Sequence, residues 1–454
     1  MPTASLRLSS PPAGALADAL AAIPAALGLT PDFPPLDIPT PPLPATDLTH
    51  LNFVTVDPPG ATDLDQAFVL ERAGDGYRVH YAIAAVGLFV EPGSPLDAET
   101  QRRGQTMYAP AGRIPLHPPA ISEDAASLLP GVDRGAYVWQ FELDARAAVT
   151  ATTLTLARVR SRAQLTYASV DEPLLREIGE KRQELERDRG GASLTLPETE
   201  ISLVDGVYTV ERREPLPAEG WNAQLSLMTG MAAAELMLAA GIGILRTMPP
   251  ADAGALEAFR LQAAALGHPW EVSLPYGDFL RSLDLAEPSS LAVMYAAASL
   301  FRGAGYTVFD GAPPAVTEQA AVGAPYAHAT APLRRLVDRY VLAACEAIAN
   351  GRPVPEWVRS ALPGLPAAMS ASGALAGQID RLAIDTVEAA SLAGRVGETF
   401  EATVIAARAQ SATIQLVSPV VTASCDGVLV AGTRIRVRLD VADLASATVR
   451  FSVL

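Results

Sequence analysis

Between Phe53 and Phe68 the chain reads FVTVDPPGATDLDQAF, which crowds Asp57, Asp63 and Asp65 into one short span. An apolar β-like run, LNFVTV, leads into it, and two prolines and a glycine after Asp57 force a tight loop. Carboxylates this close repel one another unless a cation neutralises them, so the fold must either gather them around positive charge or leave them in water as a solvated acidic turn. No histidine or cysteine stands among them, and an all-oxygen set favours Mg²⁺ or Mn²⁺ over Zn²⁺. Taken alone, the loop is compatible with both readings.

The texture of the chain around this loop predicts an α+β protein of two or three domains, since 454 residues exceed one ordinary core. Residues 1–46 hold an alanine-rich amphipathic helix, near Ala13–Leu27, then the proline-rich stretch PDFPPLDIPTPPLPATD, an expected extended linker. This piece is expected to be a small helical appendage with room for a helix-turn-helix. Residues 47–395 form the expected central domain. Its first part alternates β-like runs with turns, and its second part, from about Val170, is helical, with NAQLSLMTGMAAAELMLAAG as a buried central helix and a long last helix leading away from the body. Residues 396–454 return to β: GETFEATVIAA, SATIQLV, GVLVAG, TRIRVRLDVADL and TVRFSVL are five short runs, the number and size of an OB-fold barrel.

A net charge of −16 argues against loose binding along nucleic acid, although a channel needs only local positive charge. Arginines cluster at Arg102–Arg103, at Arg158, Arg160 and Arg162, and at Arg334, Arg335 and Arg339, and arginine binds phosphate with a bidentate fork. Cys345 and Cys425 lie far apart without a CxxC, so neither a disulfide framework nor a cysteine zinc site is expected. No apolar run reaches the ~20 residues of a bilayer span. No basic-then-apolar leader is visible at the N-terminus, and a reducing cytoplasm is the expected location.

A second informative stretch is YAHATAPLRRLVDRY, Tyr326 to Tyr340, where a polar turn and a proline precede two arginines expected in the first turn of a helix, a phosphate-binding corner. Together with the acidic loop, with RRGQTMYAPAGRIPLHPPAISEDAASLLPG and with ARVRSRAQLTYASV, it resembles the ribonuclease II family, the RNB exoribonucleases. The four segments occur in the family's order across roughly Asn52 to Tyr340. The resemblance implies an RNB catalytic domain with a mixed β-sheet and surrounding helices, followed by an OB-fold.

It further implies a processive, Mg²⁺-dependent 3′→5′ exoribonuclease, with Mn²⁺ as a substitute, that threads single-stranded RNA through a closed channel and releases 5′-nucleoside monophosphates. By the match, Asp57, Asp63 and Asp65 are catalytic acids and metal ligands, with Gln66 as a fourth ligand, and Arg334 steadies the scissile phosphate. Tyr108 stacks on the terminal base, and Arg113, His328, Thr330, Arg335 and Arg436 are expected RNA contacts. The partner is single-stranded RNA, including 3′-tailed structured RNA, the protein is expected to be a monomer, and no membrane is involved.

The chain departs from the family at several positions. Gln66 stands where the family has a fourth acid and offers a carbonyl oxygen but no charge. Gln224 stands in the central helix for an acid, Leu194 for a second stacking aromatic, and Ala85 for another acid. Two rivals follow: a member that binds RNA without cutting it, and an unrelated metalloprotein with an acidic loop.

Overall fold

The computed structural model describes residues 7–8, 14–110, 112–192, 198–204, 207–213, 215–284, 287–298, 300, 303–417, 419 and 421–454. Leu194 and its neighbours ASLTLPE fall largely outside them, as does most of the N-terminal tail. The first described helix, α1 (Ala15–Ala26), buries Leu16, Leu20 and Ile23, one stripe at helical spacing. The proline-rich segment that follows is extended but not a free linker: Phe33 lies 3.8 Å beneath the Arg103 guanidinium, and Leu36 packs on the core. No second helix follows α1 within 14–46, so the room left for a helix-turn-helix is not used there.

The central sheet is built from β1 (Thr46–Asp47), β2 (Phe53–Val56), β3 (Gln66–Ala73), β4 (Gly76–Ala84), β5 (Asp133–Leu143) and the long β6 (Val149–Leu165). The first part of β6 runs antiparallel to β5 and its end runs parallel to β2, so the order β6-β2-β3-β4-β5 returns to β6. Period-two patterning decides the faces. Tyr77, Val79, Tyr81 and Ile83 of β4 join Trp139 and Phe141 of β5 in the larger core, while Ala82, Ala84, Ala136 and Val138 face a second core with Phe53 and Leu64. Both faces of the sheet are therefore covered, which is why these runs read as continuously apolar.

The helical part comprises α2 (Pro95–Arg103), α3 (Pro173–Asp188), α4 (Pro217–Ala240), α5 (Ala253–Ala265), α6 (Tyr276–Arg281), α7 (Pro288–Ala298), α8 (Leu336–Ala349) and α9 (Leu365–Leu392). α4 is long and apolar enough by length and composition to cross a membrane, against the expectation that no apolar run reaches that length. In the fold it packs against α3 and α8, and Leu225, Met228, Ala233 and Met237 lie in the main core. Gly230 lets α4 approach the YAHAT segment: Ala327 donates its N–H to the Gly230 carbonyl at 3.0 Å, and a Cβ at Gly230 would stand 2.1 Å from Tyr326 Cε2 and 2.6 Å from the Ala327 oxygen. Gly230→Ala is expected to cost about 1–3 kcal/mol by overpacking, readable as a lower urea midpoint.

Residues 248–304 between the two strands of a short hairpin hold α5, α6 and α7 around Phe259, Trp270, Tyr276 and Phe279, whose rings meet at 5.5–6.1 Å. The last helix, α9, does not lead away. Ile379, Ala383 and Val387 receive the α1 stripe, and its C-terminal end caps the barrel with Leu392.

The barrel closes through β7 (Thr399–Ala407), β8 (Ser411–Leu416), β9 (Thr422–Asp426), β10 (Arg434–Asp443) and β11 (Thr448–Val453). The run GVLVAG, expected as a strand, is a loop in which Val428 and Val430 are 82% and 68% exposed. The third strand is TASCD instead, where Ala423 and Cys425 alternate into the core. Apolar composition misled here because alternation, not mean hydropathy, fits a half-buried strand.

Candidate active site

The acidic loop leaves β2 and re-enters the sheet at β3, so the sheet holds both its ends. The Asp57 N–H donates to the Leu165 carbonyl at 3.0 Å, and the Leu64 N–H donates to Ser127 Oγ at 2.9 Å. Asp65 is buried, and its Oδ1 accepts the Leu333 N–H at 2.8 Å. The same residue brings the distant arginine in: Arg334 Nε lies 3.6 Å from Asp65 Oδ2. The loop and the YAHATAPLRR segment, some 270 residues apart in the chain, thus meet at one point, as the resemblance requires.

The segment carrying Arg334 is fixed from many sides. Gln66 Nε2 donates to the Thr330 carbonyl at 2.6 Å, and the Ala331 N–H donates to Asp338 Oδ1 at 2.8 Å. His117 Nδ1 lies 3.0 Å from the Leu333 carbonyl, and the Thr106 N–H donates to the Arg334 carbonyl at 2.9 Å. Gly104, at φ +70°, lies where a Cβ would strike the Ser372 side chain at 2.6 Å, and its carbonyl accepts the Leu336 N–H. The helix begins at Leu336, so Arg334 and Arg335 stand just before the first turn rather than inside it.

Burial and neighbouring charge shift the carboxyls of both Asp57 and Asp65. Burial, with Asp63 nearby, pushes the Asp57 carboxyl up to about 6 although Arg334 pulls against this. Burial also holds Asp65 well above the ordinary carboxylate range against the opposing pull of Arg334. The Asp57 Oδ2 atom is buried, and the Thr55 hydroxyl, also buried, is the side chain that draws its carboxyl back down. Arg334 itself is 51% exposed and Tyr108 50%, yet desolvation is the largest influence on both, so each is open to solvent while closely surrounded by protein.

The expected site residues separate on this geometry. Asp57, Asp65 and Arg334 converge, with Tyr108 beside them on the hairpin Met107–Ile114. Asp63 is turned to that hairpin: Arg113 Nη1 donates to it at 3.0 Å, and the Tyr108 hydroxyl lies at 3.4 Å. Arg113 is further engaged by Glu123 at 2.6 Å and by Thr62, so it holds the loop rather than offering a free fork to RNA. Arg335 is likewise spent on Asp338, at 2.5 and 2.7 Å.

Thr330 is buried. His328 contacts Tyr306 Oη at 2.7 Å, and burial, reinforced by Arg335 and Arg246, holds it well below the usual histidine range and therefore neutral. Arg436 is on the solvent face of β10 in the barrel. Gln66 does not fit the expectation of a ligand, because Tyr81 Oη and Ser226 Oγ approach its carbonyl oxygen at 2.5 and 3.2 Å. Gln224 turns to Glu186 on α3 at 2.6 Å.

Sequence reasoning missed Tyr81, Ser226 and Tyr167. Tyr167, which ends the quoted RSRAQLTY, senses both Asp57 and Arg334, and Asn222 bonds to it. Its place at the close of a matched motif was the available signal. Tyr81 and Ser226 carried none, being ordinary members of a strand and a helix. Among the described residues no three His, Cys, Asp or Glu side chains form a ready-made metal group.

Known proteins resemble this chain over both the sheet-and-helix body and the barrel. The family described as RNB domain matches residues 45–350, and that described as RNase II-type exonuclease C-terminal S1 domain matches residues 398–454. Exosome complex exonuclease RRP44 homolog A of Arabidopsis thaliana is 28% identical over 324 residues, which is 65% of this chain and 34% of that protein, so the match spans about a third of the relative's length. Mycoplasma genitalium RNase R, solved in complex with ribose methylated single-stranded RNA, superposes with a TM-score of 0.81 at 18% identity, covering 90% of this chain and 72% of that one. Yeast Ssd1, described as a pseudonuclease, superposes with a TM-score of 0.69 at 15% identity, covering 86% of this chain and 52% of that one. The RNB match takes in the sheet, the acidic loop and the arginine turn, and the barrel follows where its own family places it: the chain belongs to the RNB family.

Proposed function

We propose that this chain is a 3′→5′ exoribonuclease that hydrolyses single-stranded RNA, including single-stranded 3′ tails of structured RNA, to 5′-nucleoside monophosphates. The observation that carries the proposal is the meeting of buried Asp65 with Arg334, which also acts on a second, half-buried carboxylate, Asp57. In this reading Arg334 takes the scissile phosphate and stabilises the charge that builds on it, closely surrounded by protein, where such contacts are strong. Tyr108 offers a half-open ring to the terminal base; stacking of this kind contributes ~1–3 kcal/mol per base. Asp63, held by Arg113, keeps the Tyr108 hairpin against the acidic loop.

The residues suit Mg²⁺. Mg²⁺ is commonly held by one or two carboxylates, several waters and the substrate phosphate, so the lack of a three-residue cage is no obstacle, and Asp57 and Asp65, both acted on by Asp63 and Arg334, are the carboxylates that would hold it. When bound, the ion supplies Lewis-acid stabilisation and eases deprotonation of water. Arg334, held by its contact with Asp65, would orient the phosphate.

Incubation of the full chain with 3′-tailed RNA and Mg²⁺ tests the proposal: a ladder shortening from the 3′ end is expected, and intact RNA with every divalent metal would overturn it. RNA retained without cutting would favour the second reading, a non-cutting RNA-binding protein, for which Gln66 and the likeness to Ssd1 speak.

A linkage follows for the metal. A carboxyl whose folded value is raised to about 6 from 3.8 binds protons more tightly in the native state. The stability it lends is present below about pH 3.8 and lost as pH rises through 6, a penalty of roughly 2–3 kcal/mol. Mg²⁺ should relieve that penalty, so the rise in Tm on adding Mg²⁺ is expected to be large at pH 8 and nearly absent at pH 5. An equal rise at both would contradict it.

A further inference from the structure

Gln66 opens β3 directly after Asp65, and its carboxamide works in two directions at once. Nε2 donates to the Thr330 carbonyl at 2.6 Å. Oε1 accepts from the Tyr81 hydroxyl at 2.5 Å and lies 3.2 Å from the Ser226 hydroxyl. Tyr81 Oη and Ser226 Oγ are 2.8 Å apart, so the three groups form a closed triangle in which the Ser226 hydrogen serves either neighbour. One side chain therefore joins β3, β4, α4 and the turn before α8. Thr330 lies four residues before Arg334, in the segment whose remaining bonds were described above.

A carboxamide suits this position because it offers a donor at one end and an acceptor at the other without charge. A carboxylate has no hydrogen for the Thr330 carbonyl, and two oxygens at that separation would repel. Aspartate would also be one methylene short of the carbonyl. An apolar side chain would leave the buried Thr330 oxygen without its donor, a loss of about 1–3 kcal/mol.

We propose that Gln66 is a positioning residue: it clamps the Thr330 carbonyl, thereby fixes the turn that aims Arg334, and takes no part in ligating metal. The kinetic consequence rests on the nuclease reading; the clamp itself does not.

The test uses the full chain as Gln66→Ala, Gln66→Asp and Tyr81→Phe, with three measurements: hydrogen exchange of residues 328–335, Mn²⁺ binding without RNA by electron paramagnetic resonance, and steady-state hydrolysis of single-stranded RNA with Mg²⁺. For Gln66→Ala and Gln66→Asp, exchange should quicken by about tenfold or more and kcat should fall by a similar factor, as loss of one buried bond implies, with KM within about threefold. In Gln66→Ala the Mn²⁺ Kd should stay within about twofold, since no ligand is removed.

Gln66→Asp separates the two views most sharply. A ligand position would answer the added carboxylate with tighter Mn²⁺ and a higher kcat, whereas a clamp loses activity. Tyr81→Phe leaves the Thr330 bond in place and should give a smaller change of the same sign, and in the Gln66→Ala background, where only its contact with Ser226 remains to be lost, it should cost less than it does alone.

Mn²⁺ binding weakened about tenfold in Gln66→Ala, the scale of losing a metal-site partner, would overturn the proposal, as would unchanged exchange in Gln66→Ala. If Gln66→Ala does not fold, Gln66→Asp and Tyr81→Phe decide by the same exchange measurement. If the wild-type chain releases no nucleotide, the nuclease reading fails by itself, and exchange with Mn²⁺ binding still judges the clamp.

Discussion

Asp65→Asn is expected to lower kcat by about a thousandfold or more while leaving the folded protein intact, the scale on which one preorganised charge contributes to such a site. The carboxamide oxygen can still accept the Leu333 N–H, so the contact that joins the acidic loop to the arginine turn survives. What disappears is the negative charge facing Arg334 at 3.6 Å and available to Mg²⁺. Burial already penalises that charge in the metal-free protein, so Tm without Mg²⁺ should not fall and its increase on adding Mg²⁺ should shrink. Single-turnover RNA hydrolysis alongside thermal unfolding checks both halves. Activity within tenfold of wild type would remove Asp65 from the chemistry.

The largest expected effect on stability belongs to Asp338→Ala. Asp338 is fully buried and accepts three hydrogen bonds, from Arg335 Nε, Arg335 Nη2 and the Ala331 N–H. Removing it leaves the Arg335 guanidinium, only 22% exposed, without its counter-ion and a buried N–H without an acceptor. Breaking a buried pair in this way costs about 3–5 kcal/mol, unlike an exposed pair. Because the Ala331 N–H belongs to the turn before Arg334, activity should fall with stability. Urea unfolding measures the first and RNA hydrolysis the second. A loss under about 1 kcal/mol would mean that water reaches Arg335 and replaces the partner. Asp338→Asn keeps an acceptor for Ala331 and should cost less than Asp338→Ala.

Asp338 and Arg335 also show where reading the chain alone stopped. Arg335 was expected to contact RNA because an arginine before a helix is a phosphate donor by type, and Arg113 was expected to do the same. Both are instead committed to carboxylates, Asp338 for the first and Asp63 with Glu123 for the second. An arginine's type states what it can bind; only packing states what it already holds. The long helix α9, expected to lead away from the body, instead presents an apolar face that receives α1 and then the barrel. The run GVLVAG was read as a strand on hydropathy, and the fold chose TASCD for its alternation.

By itself the sequence determined the order of the α and β portions, the five-stranded C-terminal barrel, the acidic loop between β2 and β3, and the membership of these segments in one family, because periodicity and short motifs are local properties of a chain. Tertiary structure alone decided which of the aspartates are buried beside Arg334, that Asp63 faces Arg113, and that Gln66 spends both ends of its carboxamide on Thr330, Tyr81 and Ser226. The physical reason is that a polar side chain's availability depends on desolvation and on partners brought from far along the chain, and neither is written in its neighbours.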